Sequence, residues 1–269
     1  MNGTCQPLAH CPDAELVDLY GVLTDIDDTL TSDGAISVDA LQALGRLRDA
    51  GVAVIAITGR PMGWSKPFAR SWPIAAIVAE NGAVALLRDG ESLQIEYVQD
   101  EPTRSANAMR LQQVARDVLH AIPGAQLARD SAGRVTDVAV DHSEFTHLDP
   151  AAIDQVVAMM KSAGMNATVS SIHINGWFGD HDKLSGARWM LRRLFGRDLD
   201  AELGRWAYVG DSTNDQQLFA HLPLSIGVAN LLRFADQLTV WPRYLTSAER
   251  GAGFAEVAAR VLSARRKTC

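Results

Sequence analysis

Residues 20–29 read Tyr20-Gly21-Val22-Leu23-Thr24-Asp25-Ile26-Asp27-Asp28-Thr29. An apolar run, Val17–Asp25, ends abruptly in carboxylates, the pattern of a buried strand that delivers charge to one sheet edge. Outward from it, Ser37–Ala50 places Leu41, Leu44 and Leu47 at helical spacing, and Gly51 stops that helix. Val52–Ile57 (VAVIAI) is a second continuous apolar strand. Pro61 suits the first position of another helix, and Ile74–Val78 is a third buried strand. Strand, helix, strand, helix, strand predicts an α/β fold with a doubly wound, Rossmann-like parallel sheet.

The pattern then changes. Ala83–Leu87 and Leu93–Val98 flank Arg88-Asp89-Gly90, which is hairpin chemistry. Helices over Thr103–Ala121 and Pro150–Ala163, a second hairpin around 130–133 and a strand over Asn166–Ile174 describe a small α+β unit. After Asp180 the first pattern resumes. Helices over Asp182–Phe195, Ser212–His221 and Gly253–Ala264 alternate with strands Trp206–Val209 and Leu224–Gly227. The expected organisation is a core of 1–83 plus 179–269, interrupted by an inserted α+β cap domain at 84–178. Residues 1–15 read as a loose polar tail.

Composition bounds the function. The chain has 269 residues, 47% of them hydrophobic, enough for a large core, and a net charge of −7. That acidity argues against non-specific nucleic-acid binding, which depends on Lys and Arg neutralising phosphates. No apolar run reaches the length of a membrane helix, and no signal peptide is apparent; a cytoplasmic location is the expectation. Cys5, Cys11 and Cys269 are odd in number and terminal, which predicts no disulfide framework. Cys5, His10 and Cys11 lack a fourth metal ligand nearby.

The C-terminal ends of parallel strands are where open α/β sheets bind ligands. Asp25, Asp27, Asp211 and Asp215 are expected there together, and a hard cation with oxygen ligands would relieve their repulsion; Mg²⁺ suits carboxylates plus a phosphate. Four short motifs occupy these positions: DIDDT at 25–29, ITGR at 57–60, Lys183, and GDSTND at 210–215. In this order they resemble the haloacid dehalogenase superfamily of phosphotransferases. The insertion resembles its type IIB cap, found in sugar-phosphate phosphatases and phosphomannomutases, and GWFGDHDK at 176–183 is similar to a stretch of the mutases.

The resemblance implies Asp25 as nucleophile and Asp27 as general acid–base. Thr58 and Gly59 would hold phosphoryl oxygens, and Lys183 would offset negative charge. Asp25, Asp27, Asp211 and Asp215 would serve Mg²⁺, and Asn214 would orient Lys183 or a loop. Asp28 departs from the glycine many relatives carry. The implied activity is Mg²⁺-dependent hydrolysis of a small phosphorylated metabolite, most simply a sugar phosphate. The alternatives are a phosphomutase and a binding module that has lost turnover. Arg60 would meet either a substrate anion or a neighbouring acid. Asn81 sits in Glu80-Asn81-Gly82, which either borders the site or makes a plain turn. His173 and Asn175 on the last cap strand would read substrate hydroxyls or serve as surface polar groups. Trp64, Trp72, Trp177 and Trp189 read as packing residues. Oligomeric state is not legible.

Overall fold

A computed structural model describes residues 5–90 and 92–267. Among them, nine strands form one sheet in the order Gln6–Pro7, Tyr244–Leu245, Leu224–Gly227, Trp206–Gly210, Gly21–Thr24, Ala53–Ile57, Ala76–Ala79, Val84–Asp89 and Ser92–Tyr97. The first seven run parallel, and the last two are antiparallel.

The alternation inside each strand builds the two faces. Val22, Val54, Ile77 and Val209 pack with helices Val38–Asp49 and Arg250–Arg266. Leu23, Ile55, Val78 and Tyr208 pack with helices Lys183–Phe195 and Gln216–His221. Both faces are therefore covered, which is why the strands read as unbroken apolar runs. Helix 38–49 starts where its sequence signals: the Ser37 side chain accepts from the Ala40 amide.

The inserted unit carries a four-stranded antiparallel sheet ordered Asn166–Val169, His173–Trp177, Asp137–Asp141 and Gln126–Leu127. Val138, Val140 and Ile174 cover one face with Leu111, Val114 and Val118 of helix Glu101–Ala121 and Val156 and Met160 of helix Pro150–Ser162. The alternate positions, Asp137, Asp141, His173 and Asn175, are polar yet buried, because that face lies on the C-terminal edge of the large sheet.

Four expectations are corrected. The 84–97 hairpin extends the large sheet instead of opening the inserted unit, so the expected boundary at 84 is displaced. Val84–Leu87 are buried, and Val84 pairs with Ala79. The reversal is made at Glu80, Asn81 and Gly82, all at positive φ (51°, 55° and 106°). A Cβ at Gly82 would also strike the Asp182 carbonyl, so this turn needs glycine for both conformation and space.

The N-terminal tail is not loose over its described part: Gln6–Pro7 pairs with Tyr244–Leu245, and Leu8, Cys11 and Leu16 enter the core. Three apolar side chains among polar ones are enough to seat it. The 166–174 strand is two strands, because Ser170 Oγ accepts from the Ile172 and His173 amides and closes a turn. The 17–25 strand is shorter than expected, since helix Asp13–Leu16 occupies its approach and pairing starts at Gly21.

Candidate active site

Strands Trp206–Gly210, Gly21–Thr24 and Ala53–Ile57 are neighbours, so the segments that follow them converge. Asp25 is held there by its own amide, which donates to the Val209 carbonyl at 2.9 Å. Lys183 opens its helix behind the Asp182 N-cap, and its Nζ reaches Asp25 Oδ1 at 2.7 Å, Asp215 Oδ1 at 2.8 Å and Asn214 Oδ1 at 3.2 Å. Burial alone would lower the Lys183 ammonium; Asp215 and Asp25 instead hold it above its ordinary range.

The remaining bonds of Asp215 are also committed. Oδ1 accepts from Tyr208 Oη, and Oδ2 accepts from the Asp211 and Ser212 amides at 2.9 and 3.1 Å. Asp211 is fully buried; its Oδ2 accepts from Asn230 at 3.1 Å, and its Oδ1 has no partner among the described residues. Burial, with Asp25 and Asp215 nearby, raises the Asp211 carboxyl well above the usual range, and burial raises Asp25 as well.

One oxygen each of Asp25, Asp211 and Asp215 lies within 4.8 Å of the others. Three clustered carboxylates face one ammonium, and one buried oxygen is unpartnered. That donor set fits a hard divalent cation. The Asp27 carboxylate lies outside this group, bonded to Arg60 Nε at 2.9 Å.

The second expected loop is built around Thr58, whose Oγ1 accepts from the Arg60 amide at 2.9 Å. Of its two expected partners, Arg60 takes neighbouring acids. Besides Asp27 it reaches Asp130 at 3.1 Å and Glu144 at 2.8 Å, both in the inserted unit, and it lies over Trp64. Burial would lower this guanidinium, and its carboxylates raise it instead. Glu144 also receives His173 Nε2 at 2.8 Å. Partial burial would raise Glu144, but His173 and Arg60 bring it down to about 2.

Asn175 donates to the Gly59 carbonyl at 3.2 Å and to Asp137 at 3.3 Å, and Asn81 donates to Asp137 at 3.4 Å. Asn175 is thus a buried contact between the inserted unit and the core, and His173 is buried against Glu144 within the inserted unit; neither is a surface group. Glu80 borders the site as an anchor: its carboxylate accepts from the Met62 amide at 3.0 Å and from the Thr136 amide at 2.6 Å.

Two cavities flank this centre. One of about 360 Å³ is lined by Asp27, Asp28, Arg60, Glu144, Ser171 and Arg250, among others. The other, about 580 Å³, reaches Asn81, Thr168, His181, Lys183 and Asn214. Asp28 takes a positive φ of 54° and pairs with Arg250 at 3.1 Å, which explains how an aspartate stands where glycine is common. Trp72 is in the core on one face of the sheet, Trp189 packs against the core on the other face, and Trp177 donates to the His181 carbonyl.

Sequence reasoning missed Tyr208, Asn230, Asp130, Arg134, Asp137 and Glu144. Tyr208 had a signal: a tyrosine among apolar strand residues needs a hydroxyl partner. The others sit on loops or half-polar strands with no motif.

A family model described as haloacid dehalogenase-like hydrolase matches residues 22–117. The chain is 27% identical over 246 residues to a phosphoglycolate phosphatase of Pyrobaculum neutrophilum, spanning 90% of this chain and 95% of that protein. Among solved structures it is similar to Thermoplasma acidophilum 0175, with a TM-score of 0.68 at 17% identity, covering 91% of this chain and 98% of that one. It is also similar to the sucrose-phosphatase of Synechocystis sp. PCC6803, solved with sucrose and phosphate, with a TM-score of 0.63 at 17% identity, covering 90% and 98%. At these identities the structural likenesses bear on fold alone. The family match over residues 22–117 and four motifs in order along one sheet edge make the chain similar to the haloacid dehalogenase-like hydrolases.

Proposed function

We propose that this hydrolase is a Mg²⁺-dependent phosphatase of a small phosphorylated metabolite, with sugar phosphates the first class to test. The observation that carries the reading is Asp25 at a strand end, 2.7 Å from a buried lysine that Asp215 also holds. A carboxylate so placed suits nucleophilic attack on phosphorus, and Lys183 offsets the charge that builds there. Asp25 is only 5% exposed, which favours a small ester over a phosphoprotein.

An Asp25 oxygen bonds to phosphorus while the ester P–O bond breaks, and Asp27 gives its proton to the departing oxygen. Water then attacks phosphorus, Asp27 takes its proton, and the Asp25–phosphorus bond breaks to release phosphate. Thr58 and the Gly59 amide hold phosphoryl oxygens. Asp25 and Asp211 would hold Mg²⁺, which supplies positive charge opposite the phosphoryl oxygens. Asp215 fixes Lys183 and the 211–212 turn.

The name of the phosphoglycolate phosphatase relative supports a small-ester reading. The test is phosphate release from hexose phosphates, disaccharide phosphates, phosphoglycolate and nucleotides, with Mg²⁺, with chelator and with Asp25→Asn. Mg²⁺-dependent release that Asp25→Asn loses by at least about a thousandfold is expected. Release that survives the substitution would overturn the assignment. Sugar-phosphate isomerisation under a bisphosphate activator would move it to the mutases.

A further inference from the structure

The carbonyl of Gly59 accepts two hydrogen bonds from the inserted unit: Arg134 Nη1 at 2.9 Å and Asn175 Nδ2 at 3.2 Å. Because the peptide bond is planar, fixing that carbonyl also fixes the Arg60 N–H on its other side. That N–H is the group donating to Thr58 Oγ1, at 2.9 Å. A hydroxyl that already accepts one bond is turned so that its single proton points elsewhere.

We infer that Arg134 and Asn175 are positioning residues that aim the Thr58 hydroxyl at the phosphoryl group by locking the Gly59–Arg60 peptide plane. Neither residue needs to touch the substrate. Both are built for rigidity. The Arg134 side chain is 3% exposed and clamped by Asp137 at 2.8 Å and Asp130 at 3.2 Å. Asn175 is 1% exposed and shares Asp137. A Cβ at position 59 would come within 3.2 Å of both Asn175 Oδ1 and Asn81 Oδ1, so the loop's glycine is what lets these amides approach. The phosphate-binding loop is therefore complete only when the inserted unit is seated on it.

The inference rests on the proposed reading that Thr58 binds a phosphoryl oxygen, and the experiment separates the two. Calorimetric titration of the full chain with inorganic phosphate in Mg²⁺ is run on Asn175→Ala, Thr58→Val and their combination. Asn175→Ala is expected to weaken phosphate about three- to tenfold in the wild-type background, the scale of one hydrogen bond. It should weaken it less than about twofold once the Thr58 hydroxyl is gone, because the two act through one group. Equal loss in both backgrounds, or no loss in the first, overturns the inference while leaving the function standing. A Thr58→Val protein that binds phosphate as well as wild type overturns the Thr58 reading and the inference with it. Arg134→Met combined with Asp137→Asn removes the clamp without stranding a buried charge, and carries the same cycle if Asn175→Ala does not fold.

Discussion

Asp211 holds a fully buried carboxylate with one oxygen bonded to Asn230 and the other without a partner among the described residues. Without a cation, burial beside two more carboxylates makes its ionised form costly, and the folded chain must take up a proton to relieve it. Asp211→Asn is therefore expected to stabilise the metal-free protein by about 1–3 kcal/mol, read from denaturant midpoints in chelator. The same variant should lose the rise in melting temperature that Mg²⁺ gives by binding the native state. A variant that is destabilised in chelator, or that keeps the Mg²⁺ response, would contradict this account. At this scale the sequence was informative where residues fall at strand ends. Asp25, Lys183 and the 210–215 segment were legible because apolar runs stop just before them or a helix starts there. The place of Asp27 just past the strand end was legible, but its ion pair with Arg60 was not, since two positions 33 apart in sequence meet by a path no spacing encodes.

The turn at Glu80–Gly82 packs on the inserted unit and the linker at 178–182 leads out of it, and both hold buried polar groups. Glu80 accepts from the Val135 and Thr136 amides of the inserted unit and from Met62 of the core. Glu80→Ala strands those donors and is expected to cost about 3 kcal/mol or more, whereas Glu80→Gln keeps an acceptor and costs less. Chemical denaturation of both variants checks the order.

His181 in the linker is stacked on Trp177, and neither ring nitrogen has a partner. Burial brings its pKa from 6.5 to about 4, against the opposing pull of Asp182 and Asp180. The sign follows. Between those values the unfolded chain binds a proton that the folded chain refuses, so stability falls as pH drops from about 6.5 to about 4. His181→Phe should flatten that part of the stability–pH curve by about 2–3 kcal/mol; an unchanged slope would remove His181 as its source. Element types were mostly readable from periodicity. The 84–97 hairpin was misplaced because hairpin chemistry names a turn and says nothing of the sheet its strands join.

The seating of one unit on the other is the property of the whole molecule. Gly63 and Gly133 approach so closely that a Cβ on the former would lie 2.7 Å from the latter's Cα. Glu80, Arg60 and Gly59 add buried bonds across the same contact. Hydrogen exchange should accordingly show the Val135 and Thr136 amides protected like the central strands, with protection falling in Glu80→Ala. Exchange as fast as that of an exposed loop would show that the inserted unit lifts freely. This contact could not be read from sequence, because its backbone donors and glycines carry no motif and its charged partners lie 70 or more positions apart.

The sheet order also fixes a sequence of events during synthesis. The central strand Gly21–Thr24 takes one neighbour from Ala53–Ile57 and the other from Trp206–Gly210. A growing chain has Asp25 long before it has Asp211 and Asp215, with the whole inserted unit translated in between. At about 5–20 residues per second, the ribosome leaves that strand with one bare edge for on the order of ten to forty seconds. For that interval the newborn protein lacks the full acidic cluster, and its bare strand edge is open to pairing with other strands.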